Sequence, residues 1–404
     1  MSFTLFVVLL IVLSVLVRVA PVGPKRYRIT ASIGVALVFL FLAPLLLSDF
    51  RLFQLSRVGI FVIVAMGLNI LTGYNGQISL GHGAFVLLGA YTAAILLDHK
   101  SQLGFVDSTP WPFWTTIIAG GVIGGLAGLA LGVPALRLKG PYLAIATLGL
   151  MISLPQILRK YDGLTGGSQG LVIRQPPPPP GLEKHLSSDQ WMYILCLGVA
   201  LVMLIIAWSI LRGPLGRSFI AVRDSEVAAA AMGVNVARTK VIAFTISAFY
   251  AGVAGALLTM LVEVMTPDSV DIFTSINFLT AIVIGGLASI LGAVIGAAVL
   301  VFLPSDGPQL VGRLHFLPNE LRTPGVIQGA LVIIFILLAP TGFAGTYQRL
   351  VRMRAADVRD WLTGLPARLR GAAASIRDNI LWTWESLPWN RQRVDSRSER
   401  KETE

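Results

Sequence analysis

Five polar side chains lie within an otherwise apolar stretch, Gly67–Gly89: Asn69, Asn75, Gln77, Ser79 and His82. Amide, hydroxyl and imidazole groups donate and accept hydrogen bonds, so together they could contact a polar solute. At membrane depth such groups must be satisfied by protein or by a water-filled cavity. Residues 50–97 contain no Asp or Glu, which disfavours a proton or sodium relay there. For His82 itself, a hydrogen-bonded packing role is favoured over proton transfer.

The same stretch contains glycines at positions 67, 73, 76, 81, 83 and 89. Glycine lets a helix break or lets two helices approach closely. One interpretation is a broken helix that lines a translocation path. The candidate path residues are Asn69, Asn75, Gln77, Ser79, Gly81, His82 and Gly83. The other interpretation is tight helix packing with an ordinary loop at 73–77.

A second stretch, Arg212–Lys240, predicts a short capped helix between two apolar runs. Gly213 and Pro214 end the preceding run, because proline lacks the N–H that a continuing helix needs. Asp224 or Ser225 can cap the new helix, and Glu226 follows in its first turn. The alanine-rich segment 226–232 favours helix, and Gly233 supplies a left-handed stop. We expect about two turns of helix between 224 and 233.

The charge of this loop predicts that it faces the cytoplasm. Its basic residues are Arg212, Arg217, Arg223, Arg238 and Lys240, against the acidic Asp224 and Glu226. Lys and Arg accumulate in cytoplasmic loops of membrane proteins. A rigid cytoplasmic helix could be contacted by a soluble partner. Alternatively, it connects two spans and lies on the lipid surface.

Other common chemistries have no support in the sequence. There is no Gly-x-x-x-x-Gly-Lys-Ser/Thr motif, no His/Glu cluster with metal-ligand spacing, and no nucleophile beside a credible base. Cys196 is the single cysteine, so an intramolecular disulfide is excluded. We therefore expect no enzymatic activity, no metal site and no cofactor bound by this chain.

The composition is that of a polytopic, all-α membrane protein. The chain has 404 residues, of which 55% are hydrophobic and 13% charged, against about 25% charged in soluble domains. Its net charge of +11 is spread over the loops and tail, which indicates topology and lipid contact and not nucleic-acid binding. Apolar runs fall at about 3–20, 29–47, 58–72, 78–97, 113–136, 141–158, 191–211, 241–262, 275–303 and 325–340.

Loop charges and parity set the predicted topology of about 10–11 membrane segments. A single crossing by 275–303 would leave the basic tail outside, so we expect two short helices that turn back near 288–292. One short re-entrant segment would satisfy the parity equally well. The N-terminus is then outside and the C-terminus cytoplasmic. Residues 1–348 form the transmembrane domain, and 349–404 a basic tail of surface helices, either regulatory or dispensable.

Several separate motifs resemble those of one family. They are GLNILTGYNGQISLGHGAF (67–85), GPYLAIATLGL (140–150), DGLTGGSQGL (162–171), the stretch 216–255, and IGGLASILGAVIGA (284–297). The chain resembles the permeases of branched-chain amino acid ABC importers, and within them the Liv M-type subunit. The resemblance covers about residues 30–345 and does not extend to the tail.

The resemblance implies an assembly in the bacterial plasma (inner) membrane. Its partners would be a second homologous permease, two ATP-binding cassette subunits that bind ATP–Mg, and an extracytoplasmic solute-binding protein. Segment 224–233 would be the coupling helix that enters a groove on the ATPase. The residues implied in coupling are Asp224, Ser225, Glu226, Ala229, Ala230 and Gly233. Counting back from Gly233, Val227 occupies the position of the family's glutamate, which departs from the family pattern.

Three other functions remain open from the sequence. The family includes permeases for urea and short-chain amides, although SLGHGAF and TGGSQGL look more like the amino-acid branch. A stand-alone secondary transporter or channel would need a coupling-ion carboxylate in the membrane, whereas the acidic residues here cluster in loops. A membrane enzyme or sensor built on the basic tail would need a polar catalytic set, which is not visible.

Overall fold

The computed structural model describes residues 47–97, 112–136, 141–179 and 186–312, together with the single positions 44, 181 and 329. Within these ranges five helices are long and apolar enough to cross a membrane. This confirms the all-α, polytopic class predicted from the composition. The predicted run 3–20, nearly all of 29–47 and of 325–340, and the tail 349–404 lie outside the described residues.

The regular structure of the described chain is helical apart from two very short strands. In chain order the helices are α1 Asp49–Leu68, α2 His82–Leu97, α3 Phe113–Ala135, α4 Pro141–Lys160, α5 Asp162–Thr165, α6 Ser188–Arg212, α7 Pro214–Asp224, α8 Glu226–Ala231, α9 Val236–Val262, α10 Ile272–Gly285 and α11 Ile290–Gly312. A π-helix, Asn69–Tyr74, continues α1. Strands β1 (Leu171–Val172) and β2 (Val264–Met265) pair antiparallel.

Helix α9 lies at the centre of the bundle and packs against α1, α2 and α3. Glycines allow this close approach. A Cβ at Gly252 would overlap the Gly120 carbonyl of α3, and one at Gly89 of α2 would overlap the Gly252 carbonyl. The Thr259 hydroxyl also donates to the Ala90 carbonyl at 3.0 Å. Three backbones therefore meet at van der Waals distance, as expected for small residues in membrane helix interfaces.

The apolar run 275–303 forms a helical hairpin, which confirms the prediction of two helices. Helix α10 ends at Gly285 and α11 begins at Ile290, so the turn covers 286–289 and begins two residues before the predicted position. A Cβ at Gly285 would overlap the Gly292 carbonyl, and one at Gly296 the Ala281 carbonyl. Because residue pairs 285/292 and 281/296 face each other, the two helices are antiparallel and glycine-packed.

Several helix limits differ from the apolar runs. Helix α1 begins at Asp49, nine residues before the predicted run. The apolar run did not include its first turns, because they contain the polar residues Arg51, Gln54 and Arg57. Helix α11 continues to Gly312 and includes Asp306, which the sequence placed in a loop. Helices tolerate polar residues at their ends, so an apolar run marks only the lipid-exposed or core part of the helix.

The ends of α4 and α9 meet in a small polar region on the face opposite α7 and α8. β1 pairs with β2 directly after α9, and the Ile173 amide donates to the Glu263 carbonyl at 2.7 Å. Arg159, at the end of α4, forms an ion pair with Asp268. This ion pair is exposed to solvent, so it adds little to stability. The region nevertheless fixes how loop 263–271 lies over the bundle.

Candidate functional site

The polar stretch 69–83 is a break between two helices inside the bundle. After the π-helix the chain leaves the helical path at 75–81, and α2 begins at His82. Gly76 has a φ of +76°, a conformation that favours glycine. The Thr72 hydroxyl donates to the Gln77 carbonyl at 2.9 Å and closes this turn. The helix is thus interrupted at 75–81, and the lining of a translocation path by this break stays a prediction.

Side chains from two other helices hold the segment that follows the break. The Leu80 amide donates to the Thr147 hydroxyl of α4 at 3.1 Å. The Ser275 hydroxyl of α10 donates to the Leu80 carbonyl at 2.5 Å and accepts from the Gly83 amide at 3.0 Å. Non-helical backbone at membrane depth needs such partners, because lipid offers none. Thr147 and Ser275 therefore satisfy polar backbone that the break exposes.

Gly81 and Gly83 are close-packing positions in this structure. A Cβ at Gly81 would overlap the Thr147 carbonyl, and one at Gly83 would lie 3.0 Å from Val270 Cγ1 and 3.1 Å from Met151 Sδ. The geometry of these two positions thus agrees with the packing interpretation of the sequence. A direct role for either glycine in transport remains a hypothesis.

The polar candidates divide into one paired and four unpaired side chains. Asn69 hydrogen-bonds through both ends of its amide to residues 288 and 289. In contrast, the remaining four are buried, and among the described residues they have side-chain polar atoms without a hydrogen-bond partner: Asn75, Gln77, Ser79 and His82. Buried polar atoms are nearly always hydrogen-bonded, so such a group needs an explanation.

Ser247 of α9 belongs to the same class, although its neighbours in the sequence do not single it out. Its hydroxyl is fully buried and has no partner within the described chain. Its backbone carbonyl lies against Gly67, two residues before the π-helix begins. A serine in an apolar helix normally bonds to the carbonyl four residues earlier. Since hydrogen-bond partners are a property of the folded chain, the missing bond of Ser247 had no signal in the sequence.

The second candidate site is the helix pair α7–α8, between α6 and α9. The sequence predicted the end of α6 at Gly213 but missed α7, which begins with Pro214 in the favoured first position. Leu215, Phe219 and Val222 recur at helical spacing, and the last two are buried. That pattern was the available signal for α7.

Helix α8 forms as the capping residues predict, although it is shorter than expected. Ser225, not Asp224, is the cap, and its hydroxyl accepts from the Ala228 amide at 3.2 Å. Glu226 occupies the first turn, and Gly233 has the left-handed φ of +84°. The helix covers six residues because Met232 already belongs to the terminal turn.

The outer surface of α8 is apolar and exposed. Val227 is 82% and Met232 85% exposed, and Ala230 is exposed as well, whereas Ala229 is buried and packs inward. Two ion pairs lie beside the start of α8: Lys240 contacts Glu226 at 2.6 Å, and Arg223 contacts Asp224 at 3.0 Å. A fixed short helix with an apolar exposed face is suited to insertion into a groove of another protein.

Neither region is suited to metal binding. Within the described parts of the chain, no group of three or more His, Cys, Asp or Glu side chains could hold a metal ion. Cys196 lies buried in α6, where its carbonyl faces Gly59 of α1. The arrangement offers hydrogen bonding inside the bundle and protein contact at the face formed by α7 and α8. This face carries Arg217 and Arg223 and is called the basic face below.

Comparison with known families assigns the chain to one family. The family described as branched-chain amino acid transport system / permease component matches residues 50–336. The chain belongs to this family. It is thus a member of a family of membrane transport permeases. The matched range contains both the helix break and the α7–α8 pair, and it lies within the 30–345 span of the sequence resemblance.

Named relatives agree with this assignment. The high-affinity branched-chain amino acid transport system permease protein LivM of Salmonella typhimurium (strain LT2) is 35% identical over 263 residues, which are 60% of each chain. LivH of Escherichia coli (strain K12) is 25% identical over 70% of this chain and 91% of its own. The autoinducer 2 import system permease protein LsrC of Enterobacter sp. (strain 638) is 31% identical over 52% and 60%. No solved structure matches.

Proposed function

We propose that this chain is the membrane-spanning permease subunit of an ATP-driven ABC importer for branched-chain or related hydrophobic amino acids. The observation that carries the proposal is α8, a capped helix on the basic face of the bundle with Val227 and Met232 exposed. Family membership over residues 50–336 supports it. In this proposal α8 contacts an ATPase subunit, and the bundle supplies the path.

The free energy for transport comes from partner subunits. Two ATP-binding cassette subunits bind ATP–Mg and close on each other, a second homologous permease completes the path, and an extracytoplasmic solute-binding protein delivers the substrate. The chain itself performs no catalysis and holds no cofactor. It resides in the bacterial inner membrane with the α7–α8 side and the C-terminus in the cytoplasm, as the Lys and Arg bias of its loops favours.

The helix break supplies the polar part of the path. Four neighbouring buried side chains have unpaired polar atoms within the described chain: Asn75, Gln77, Ser79 and His82. An amino acid carries an ammonium and a carboxylate group that need hydrogen bonds when they leave water. The unpaired groups beside the break can provide some of these bonds, while the apolar helices around them accommodate an aliphatic side chain.

Co-purification tests the assembly and separates the alternatives. A permease subunit isolated in mild detergent should bring an ATPase and a second membrane subunit, whereas a stand-alone transporter should come alone. The reconstituted complex should take up leucine, isoleucine or valine only with ATP inside the liposomes. Uptake of urea or a short-chain amide in preference to leucine would place the chain in the amide branch. Uptake without ATP would refute the importer.

A further inference from the structure

The π-helix Asn69–Tyr74 is fastened to the α10–α11 turn by one side chain. Asn69 Nδ2 donates to the Ser289 carbonyl at 2.9 Å, and Asn69 Oδ1 accepts from the Ala288 amide at 2.9 Å. Ala288 has a φ of +56°, which is unusual for a residue other than glycine. Gly73 leaves room for this contact, since a Cβ there would meet both Asn69 Oδ1 and the Ala288 amide. The turn and the π-helix therefore form one unit.

The other side of the π-helix is fastened to the end of α7. The Arg223 guanidinium donates from Nη1 to the Gly73 carbonyl at 3.0 Å. The Arg223 side chain also lies against Gly76, where a Cβ would be 3.0 Å from its Cγ. Its Nε and Nη2 contact Asp224 Oδ1 at 3.0 Å each. Asp224 directly precedes Ser225, the capping residue of α8.

These contacts form a continuous connection from α8 to the hairpin. Asp224 orients the guanidinium, Arg223 holds the Gly73 carbonyl, and Asn69 holds the turn at 288 and 289. A π-helix places an extra residue in a turn and is frequent at functional sites, and here Asn69 and Gly73 of the π-helix both bond to other elements. A displacement of α8 would therefore change the partners of the π-helix, and with them the position of the helix break that follows.

We propose that Arg223 is the positioning residue that transmits movement of α8 to the helix break and the α10–α11 hairpin. This inference rests on the proposed function, because it assumes that a partner moves α8. It assigns the connection to one side chain that reaches from the basic face into the bundle. A guanidinium suits this role, because its planar fork can bind a carboxylate and a carbonyl at the same time.

The test uses the whole complex in liposomes and three variants of this chain. Arg223→Met keeps an unbranched stem against Gly76 but removes every donor. Arg223→Lys keeps the charge and one donor group. Arg217→Ala is the control, since Arg217 is an exposed arginine on the same helix. For each, we would measure assembly with the ATPases, the rate of ATP hydrolysis, and the number of substrate molecules taken up per ATP.

The expected result is a loss of coupling in an assembled complex. Arg223→Met should assemble and hydrolyse ATP at near the wild-type rate, while uptake per ATP falls about tenfold, as one hydrogen bond to a charged group would give. Arg223→Lys should recover part of the uptake, and Arg217→Ala should match the wild type. Wild-type uptake per ATP in Arg223→Met would overturn the proposal. Failure of Arg223→Met to assemble would also overturn it, since Arg223 would then serve folding.

The outcome is distinguishable from failure of the proposed function. If the wild-type chain brings no ATPase, or takes up substrate without ATP, then the importer assignment fails before any variant is compared. If the wild-type complex is coupled and Arg223→Met is equally coupled, the importer assignment stands and only the connection through Arg223 is refuted.

Discussion

Single side chains in this protein supply hydrogen bonds to backbone groups that have no partner within a helix. Asn69 is the clearest case, because one amide pairs with both a donor and an acceptor of the turn at 288 and 289. Thr147 and Ser275 do the same for the segment at 80–83. In each case a short polar group replaces the partner that the interrupted helix has lost. The polar residues of the stretch are thus partly structural.

Asn69→Ala should destabilise the folded chain. The change leaves the Ala288 amide and the Ser289 carbonyl without their partner, at a cost of about 1–3 kcal/mol. Thr245→Ala is the control, since the Thr245 hydroxyl bonds only within its own helix, to the Val241 carbonyl. Thermal unfolding in detergent would measure both. Equal melting temperatures for the two variants would show that the turn does not depend on Asn69.

Gly81→Ala should lower stability much more than Gly149→Ala. A methyl group at Gly81 would overlap the Thr147 carbonyl, whereas at Gly149 it meets nothing within 4 Å. Overpacking of this kind costs about 1–3 kcal/mol, and the Gly149 change should be neutral or slightly favourable because alanine is the better helix former. Unfolding temperatures and the yield of folded protein check the pair. A well-folded Gly81→Ala chain would show that α4 can move away.

At the scale of elements, the cytoplasmic loop is two helices in which α7 is anchored and α8 is presented. Phe219 and Val222 bury one face of α7, while the outer face of α8 remains exposed. Within this single loop, α7 is the helix packed on the bundle and α8 is the helix available for contact with a partner. Contact with a partner should therefore depend on α8 residues without affecting the fold of the bundle.

Val227→Asp and Met232→Asp should each weaken binding of the ATPase subunit at least about tenfold, as burying an unpaired charge in an apolar groove implies. The unfolding temperature should not change, because both side chains are exposed. Ala237→Asp, in the exposed first turn of α9, introduces the same charge nearby and is the control. Pull-down with the ATPase measures the effect, and undiminished capture of both α8 variants would exclude α8 as the contact.

The sequence allowed the elements with local signals to be predicted, and not those that depend on distant contacts. The cap at Ser225 and the stop at Gly233 follow from residues within a few positions of each other, and the division of 275–303 followed from the parity of the loop charges. The π-helix and the β1–β2 pair do not. The first needs Asn69 and Arg223 to find partners about 150 or more residues away, and the second joins two segments of only two residues each.

For the candidate site, residue types were easier to predict than roles. The four unpaired polar groups and Asn69 looked alike in the sequence, because hydrogen-bond partners are a property of the folded chain. Arg223 was counted only as a positive charge that sets topology. Its contact with Gly73 depends on α7, which the sequence interpretation had not recognised. Because α7 was not predicted, the contact between Arg223 and Gly73 could not be predicted either.

At the scale of the whole molecule, the two polar faces of the bundle should lie on opposite sides of the membrane. Single cysteines at Asp268 and Arg217 can test this, since both positions are exposed, Arg217 lies outside the proposed contact surface of α8, and the native Cys196 is buried. In intact cells an impermeant thiol reagent should label Asp268→Cys alone, and Arg217→Cys should react only after lysis. Labelling of both before lysis would refute the topology.

The glycine contacts among α2, α3 and α9 also determine how motion in this protein can be observed. Backbones that touch at Gly89, Gly120 and Gly252 cannot slide past one another without a collision, so these three helices should behave as one rigid body. Spin labels on the exposed face of α3 would then serve as a fixed reference frame. Distances from that frame to α8 should change between nucleotide states, whereas distances among α2, α3 and α9 should remain constant.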